Sequence, residues 1–166
     1  MRIIGGRIFD PQQGFVEKEL YTDGVLIAPS SGDEQVMDVA GCYVIPALTD
    51  LHFHGCMGAD FSDGDAQGLE KMAEYELSRG VSQICPAGMT LAVEQLEVIC
   101  QVAAEHRNTA TTGATLVGIN LEGPFLSNAK KGAQNGTWLQ QPDIELLHSL
   151  EEKAQGLVKL VSVILD

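Results

Sequence analysis

The chain has 166 residues, 45% of them hydrophobic, and a mean hydropathy of +0.05. These values predict a soluble globular protein with a real core and argue against a disordered chain. The formal net charge is −13, because 23 acidic residues outnumber 10 basic ones. The basic residues are scattered and form no stripe, so nucleic acid is excluded as a partner.

The sequence also predicts no membrane partner and a cytoplasmic location. No apolar stretch approaches the roughly 20 residues that span a bilayer. Residues 1–6 lack the charged start, apolar middle and cleavage site of a signal peptide. The four cysteines form no CxxC pair and are predicted to be reduced thiols, Cys56 being a small buried filler rather than a ligand; they are Cys42, Cys56, Cys85 and Cys100.

Residues 1–45 are predicted to form a small layer of β-strands. Short β-like segments alternate here with turn-forming residues such as Asp, Gly, Pro and Ser. The predicted strands are 2–9, 20–27, 35–39 and 42–45.

From residue 46 the pattern changes to strands that alternate with helices. An apolar run that ends at His54 is the first strand of this part. Apolar side chains at helical spacing predict three helices, and Thr90 can cap the second of them. The predicted helices are 65–79, 90–107 and 143–155, and the further predicted strands are 81–85, 114–121 and 157–165.

Four strands that alternate with three helices predict a parallel sheet. A doubly wound open sheet usually carries a G-x-G-x-x-G turn after its first strand, and residues 55–58 do not match it. A barrel places functional groups at the carboxyl ends of several strands. The prediction is an α/β fold with a small β-sandwich-like layer over residues 1–45, followed by the first half of a (β/α)8 TIM-type barrel over residues 46–166.

Three side chains at predicted strand ends are candidate metal ligands. Glu122 closes the nearly uncharged run 114–121, and its burial would cost several kcal/mol unless a cation or hydrogen bonds meet it. His52 and His54 are two residues apart on a predicted strand, so they point the same way, with Phe53 opposite. The alternatives are a carboxylate bonded to nearby donors and a packed, hydrogen-bonded histidine pair.

Two motifs carry a family resemblance over essentially the whole chain. Residues 44–55, VIPALTDLHFHG, resemble the first-strand signature of the amidohydrolase superfamily. The LEGPF of residues 121–125, followed by KKGAQN at 130–135, resembles the N-acetylglucosamine-6-phosphate deacetylase family. The HxH pattern is shared by many hydrolases, whereas the second pair of motifs is specific.

The resemblance implies roles for five residues. Glu122 would bind the catalytic divalent metal directly, and His52 and His54 would occupy positions that hold a second metal in some members. The metal would be Zn or Fe, with one or two ions. Ala133 and Gln134 match the loop that touches the sugar, where many relatives have His in place of Gln134.

The implied reaction is metal-dependent deacetylation of N-acetylglucosamine 6-phosphate to glucosamine 6-phosphate and acetate, in amino-sugar catabolism. A divalent ion would acidify water and polarise the acetamide carbonyl. The substrate would be a small sugar phosphate, and the complete protein a homodimer.

The family takes two further histidine ligands and a proton-transfer aspartate from later strands, which are expected beyond Asp166. No catalytic residue is therefore predicted within this chain, and activity is expected only in the complete protein. His106 and His148 lie on predicted helices and are expected to interact with the helix dipole or with solvent. The alternatives are a non-catalytic truncated fragment and another amidohydrolase that acts on a cyclic amide.

Overall fold

The computed structural model describes residues 1–23, 27–29 and 35–164. Residues 24–26 of the second predicted strand and Leu165 at the end of the last one lie outside this description. The chain divides into two compact units, Met1–Pro46 and Ala47–Asp166. None of the helices in the described part of the chain is long and apolar enough to cross a membrane.

The described residues of the first unit form two β-sheets. The predicted strand 2–9 is in fact two strands, because Gly5 adopts a φ of +79° and turns the chain between them. One sheet has the order β5-β4-β1-β6 and the other β3-β2-β7. The strands are β1 Arg2–Ile4, β2 Arg7–Asp10, β3 Gly14–Glu17, β4 Leu20–Thr22, β5 Ile27–Ala28, β6 Val36–Asp38 and β7 Tyr43–Val44.

The second unit is a mixed α/β structure, and its described strands are short. Apart from the antiparallel pair β9 and β10, they are joined in parallel, in the orders β13-β11-β8 and β12-β14-β15. The strands are β8 Leu48–Asp50, β9 Gly55–Cys56, β10 Ala59–Asp60, β11 Val81–Ile84, β12 Ala87–Gly88, β13 Thr115–Leu116, β14 Ile119–Leu121 and β15 Val158–Val161.

Three α-helices connect these strands. They are α1 Ala66–Ser78, α2 Val93–Thr109 and α3 Ile144–Lys153, and single 3-10 turns occupy Phe61–Asp63 and Gly136–Trp138. Asp65 caps α1 and Asp143 caps α3, each through a carboxylate that accepts two backbone N–H groups. The prediction that Thr90 caps the second helix is wrong. The cap position of α2 is Ala92, whose methyl group can accept no hydrogen bond.

The core of the second unit lies between the helices and the parallel strands. Apolar side chains of α1 and α2 are fully buried against those of the strands, and each such burial contributes roughly 1.5–3 kcal/mol. They include Leu69, Met72, Leu96 and Ile99 from the helices and Ile84, Leu116, Ile119 and Leu121 from the strands. This packing holds the strands, and therefore their carboxyl ends, in a fixed arrangement.

Candidate metal centre

Three potential metal ligands converge at the carboxyl ends of the parallel strands. One ligand atom from each of His52, His54 and Glu122 lies within 4.8 Å of the others. Glu122 Oε2 is 3.0 Å from His54 Nε2 and 3.8 Å from His52 Nε2. The side chains are 49%, 33% and 30% exposed for His52, His54 and Glu122. Glu122 is therefore only partly buried, and the site opens to solvent.

The parallel backbone brings these residues together. Cys85 N–H donates to Asp50 O at 2.8 Å, Ala87 N–H donates to Phe53 O at 2.8 Å and Glu122 N–H donates to Gly88 O at 2.9 Å. The segments 50–53, 85–88 and the one that ends at Glu122 thus lie side by side at the site. His52 and His54 lie just beyond the end of β8 rather than on it.

The surroundings of His54 favour a bound cation. Its Nδ1 lies 2.9 Å from the carbonyl oxygen of Ala87, which can only accept, so Nδ1 carries a proton. Nε2 of the ring faces the Glu122 carboxylate at 3.0 Å. Two acceptors at this distance need a proton or a cation between them, and a divalent ion would satisfy both together with His52. The donor set therefore fits a metal.

Asn120 orients the other imidazole, and the sequence analysis did not identify it. Its Nδ2 lies 3.1 Å from His52 Nδ1 and 3.4 Å from the carbonyl oxygen of Leu51. Its Oδ1 is buried and has no hydrogen-bond partner among the residues that the structure describes. Exchange of the amide oxygen and nitrogen would let Asn120 accept from Nδ1–H of His52 and leave Nε2 free to bind a metal, at the cost of the contact with Leu51 O. The sequence signal that could have identified Asn120 is its spacing. It precedes Glu122 by two residues, and side chains two residues apart on a strand point to the same face.

The loop that contains Ala133 and Gln134 lines a cavity of about 510 Å³, which His54 and Glu122 also line. Gln134 is only 5% exposed. Its Oε1 accepts from Thr90 N–H at 2.8 Å, and its Nε2 donates to Met89 Sδ at 3.6 Å. Ala133 and Gln134, which were predicted to touch the sugar, therefore line the same cavity as the candidate metal ligands His54 and Glu122.

Other candidate residues lie outside this cluster. Cys56 packs against the core, and burial raises the pKa of its thiol. His106 was expected to interact with the helix dipole or solvent, and its burial excludes the solvent alternative. It is buried in the last turn of α2, and burial lowers the pKa of its imidazole. His148 is exposed on α3, as expected.

No protein-family model matches the chain, but individual proteins do. An N-acetylglucosamine-6-phosphate deacetylase of Bos taurus is 34% identical over 166 residues, which is 96% of this chain and 37% of the relative. One of Bacillus subtilis (strain 168) is 29% identical over 133 residues, covering 78% of this chain and 34% of the relative. The chain is similar to N-acetylglucosamine-6-phosphate deacetylases.

A solved structure shows the same fold. The N-acetylglucosamine-6-phosphate deacetylase of Pasteurella multocida superposes with a TM-score of 0.81 at 24% identity, over 98% of this chain and 44% of that chain. This chain spans only about a third of the length of the curated relatives that it matches.

Proposed function

We propose that this chain is the amino-terminal part of a metal-dependent deacetylase that converts N-acetylglucosamine 6-phosphate to glucosamine 6-phosphate and acetate. The observation that carries the proposal is the meeting of His52, His54 and Glu122 at parallel strand ends. The names of the similar proteins support the substrate. The complete protein would be a cytoplasmic homodimer.

We further propose that residues 46–166 are the first half of a (β/α)8 barrel, preceded by a small β-sandwich-like layer over residues 1–45. Parallel strands joined by helices are the repeating unit of such a barrel. In a closed barrel the carboxyl ends of later strands would face the same opening as Glu122. Those strands would supply the proton-transfer aspartate and the remaining histidine ligands, beyond Asp166.

The described residues would have two tasks in this reaction. Glu122, His52 and His54 would hold a divalent ion, with Zn or Fe suited to two imidazoles and a carboxylate. When bound, the ion would polarise the acetamide carbonyl and acidify a water molecule. The loop with Ala133 and Gln134 would form one wall of the sugar site, since it lines the same cavity.

The test is Glu122→Gln in the complete protein. The amide keeps the shape of the side chain but loses the charge that offsets a divalent ion, so metal affinity should fall at least about 100-fold. Turnover of N-acetylglucosamine 6-phosphate should fall to the blank rate. Metal content by atomic emission and acetate release are the measurements.

Glu145→Gln is the matched control, because Glu145 is an exposed glutamate in the first turn of α3. It should leave metal affinity and turnover unchanged. Normal metal affinity and turnover in Glu122→Gln would remove Glu122 from the site and contradict the proposal.

A further inference from the structure

The side-chain carboxamide of Gln134 forms hydrogen bonds with other residues of the protein. Gln134 is buried, its oxygen accepts from Thr90 N–H at 2.8 Å and its nitrogen donates to Met89 Sδ at 3.6 Å. The main chain of Gln134 is held as well, since Lys131 Nζ donates to its carbonyl oxygen at 2.7 Å. The loop is therefore joined firmly to residues 89–90.

Thr90 connects this loop to the candidate ligand Glu122. Its side chain is 2% exposed, and Oγ1 donates to the carbonyl oxygen of Glu122 at 3.1 Å. Glu122 N–H in turn donates to Gly88 O at 2.9 Å. Both main-chain polar groups of Glu122 are thus fixed by residues 88–90, the segment that Gln134 holds.

The next residue makes room for this contact. Gly123 has a φ of +118°, and a Cβ built there would overlap Thr90 Oγ1. A side chain at this position would push Thr90 away from the Glu122 carbonyl. The absence of a Cβ therefore keeps Thr90 close to the metal-binding strand end.

We propose that Gln134 is a positioning residue, which holds Glu122 in place for the metal through Thr90. This inference rests on the proposed metal site, and it gives Gln134 a role that does not require contact with the sugar. A residue that only contacted substrate would affect the KM. A residue that acts through Thr90 must affect metal binding when no substrate is present.

The decisive substitution is Gln134→Met, which keeps the length of the side chain but removes both the acceptor and the donor. In the complete protein, the Kd for Zn²⁺ without substrate should rise about tenfold. Exchange of the Thr90 amide hydrogen should accelerate at least about tenfold, because its acceptor is lost. Gln134→Glu retains an acceptor for Thr90 N–H and should restore most of the protection of that amide.

Thr90→Val tests the second step of the link. It removes Oγ1 but keeps the backbone N–H, so Zn²⁺ affinity should fall while the Gln134 contact persists. In the double variant with Gln134→Met, the loss of Zn²⁺ affinity should be smaller than the sum of the two single losses, since both changes act along one path. Gln141→Met is the control, because Gln141 is an exposed glutamine in the same loop. It should leave both the Zn²⁺ affinity and the exchange rate of the Thr90 amide unchanged.

The outcomes separate this inference from the proposed function. A wild-type complete protein that binds no divalent ion contradicts the proposed function. Normal wild-type binding with an unchanged Zn²⁺ affinity in Gln134→Met, or an unchanged exchange rate at Thr90, overturns the positioning role alone. A raised KM with unaltered metal affinity would assign Gln134 to the sugar instead.

Discussion

At the scale of single residues, the contact between His54 and Glu122 decides what the site can hold. With Nδ1–H of His54 engaged by Ala87 O, His54 Nε2 and Glu122 Oε2 lie 3.0 Å apart and need a proton or a cation between them. A divalent ion would bind both atoms and recruit His52 as a third ligand. Metal binding would therefore stabilise the folded protein, by about 2.7 kcal/mol at a free-ion concentration of 100 times the Kd.

His106 should make the free energy of unfolding depend on pH at values below the ordinary pKa of histidine. Burial lowers the pKa of His106 from the reference value of 6.5, although Glu70 opposes this shift. The unfolded chain then binds a proton more readily, so stability is full above about pH 6.5 and falls with decreasing pH, with a limiting slope of about 1.4 kcal/mol per pH unit. His106→Leu should remove this component, measured by urea unfolding between pH 5 and 8.

His148→Leu is the control for this prediction, since it removes an exposed imidazole from α3. It should leave the acid-side slope unchanged. The same slope in wild type and His106→Leu would show that His106 is not responsible. His106 Nε2 has no partner within the described ranges, so the leucine variant also loses a poorly satisfied polar atom.

The sequence predicted which side chains meet at the candidate site, but not what supports them. Strand-end positions and the two-residue spacing were enough to select His52, His54 and Glu122. The roles of Asn120 and Thr90 at the site were not predicted, because their partners come from other segments of the chain. Thr90 was assigned to a helix cap on local pattern alone, whereas the fold uses it to hold Glu122.

At the scale of the elements, the turn after β14 depends on Gly123. Its φ of +118° lies in the region that favours glycine, and a Cβ there would overlap Thr90 Oγ1. Gly123→Ala should therefore lower the free energy of unfolding of the complete protein by about 1–3 kcal/mol. It should also weaken metal binding, because Thr90 is displaced. Urea unfolding and metal titration test the two effects.

Gly156→Ala provides the comparison. Gly156 also has a positive φ, +84°, but no atom lies within 4 Å of a Cβ built there. This variant should lose about 1 kcal/mol from backbone strain alone and keep its metal affinity. Equal losses in both variants would mean that the approach of Thr90 to Gly123 has no special importance.

The helices were easier to predict than the strands. The predicted helices 65–79, 90–107 and 143–155 correspond to Ala66–Ser78, Val93–Thr109 and Ile144–Lys153. Long periodic patterns and aspartate caps mark helices locally. The single predicted strand 114–121 is interrupted between Leu116 and Ile119, because pairing with neighbouring segments, rather than local sequence, determines where a ladder stops.

At the scale of the whole molecule, the second unit has open sheet edges among its described strands. The outer strands of the two parallel sheets include β8 and β15, which carry exposed Leu48 and Leu160. Exposed strand edges with apolar side chains pair with other chains. Residues 1–166 expressed alone should therefore form oligomers, without deacetylase activity. Light scattering coupled to size exclusion measures the mass.

Leu160→Lys should shift the fragment towards the monomer, because a charge on an edge strand opposes pairing. Ile144→Lys is the matched control, since Ile144 is an exposed apolar residue on α3 rather than on an edge. It should leave the mass distribution unchanged. A monomeric wild-type fragment, above all one that releases acetate, would contradict the prediction.

The location of the candidate ligands has a consequence for the order of events during protein synthesis. All three lie between residues 52 and 122, just beyond the ends of β8 and β14, and these strands pair with β11 and β12 from the segment between them. At about 5–20 residues per second, the ribosome completes this stretch before any later strand exists. A metal ion captured then would link the first three strand ends while the remaining chain is still being made.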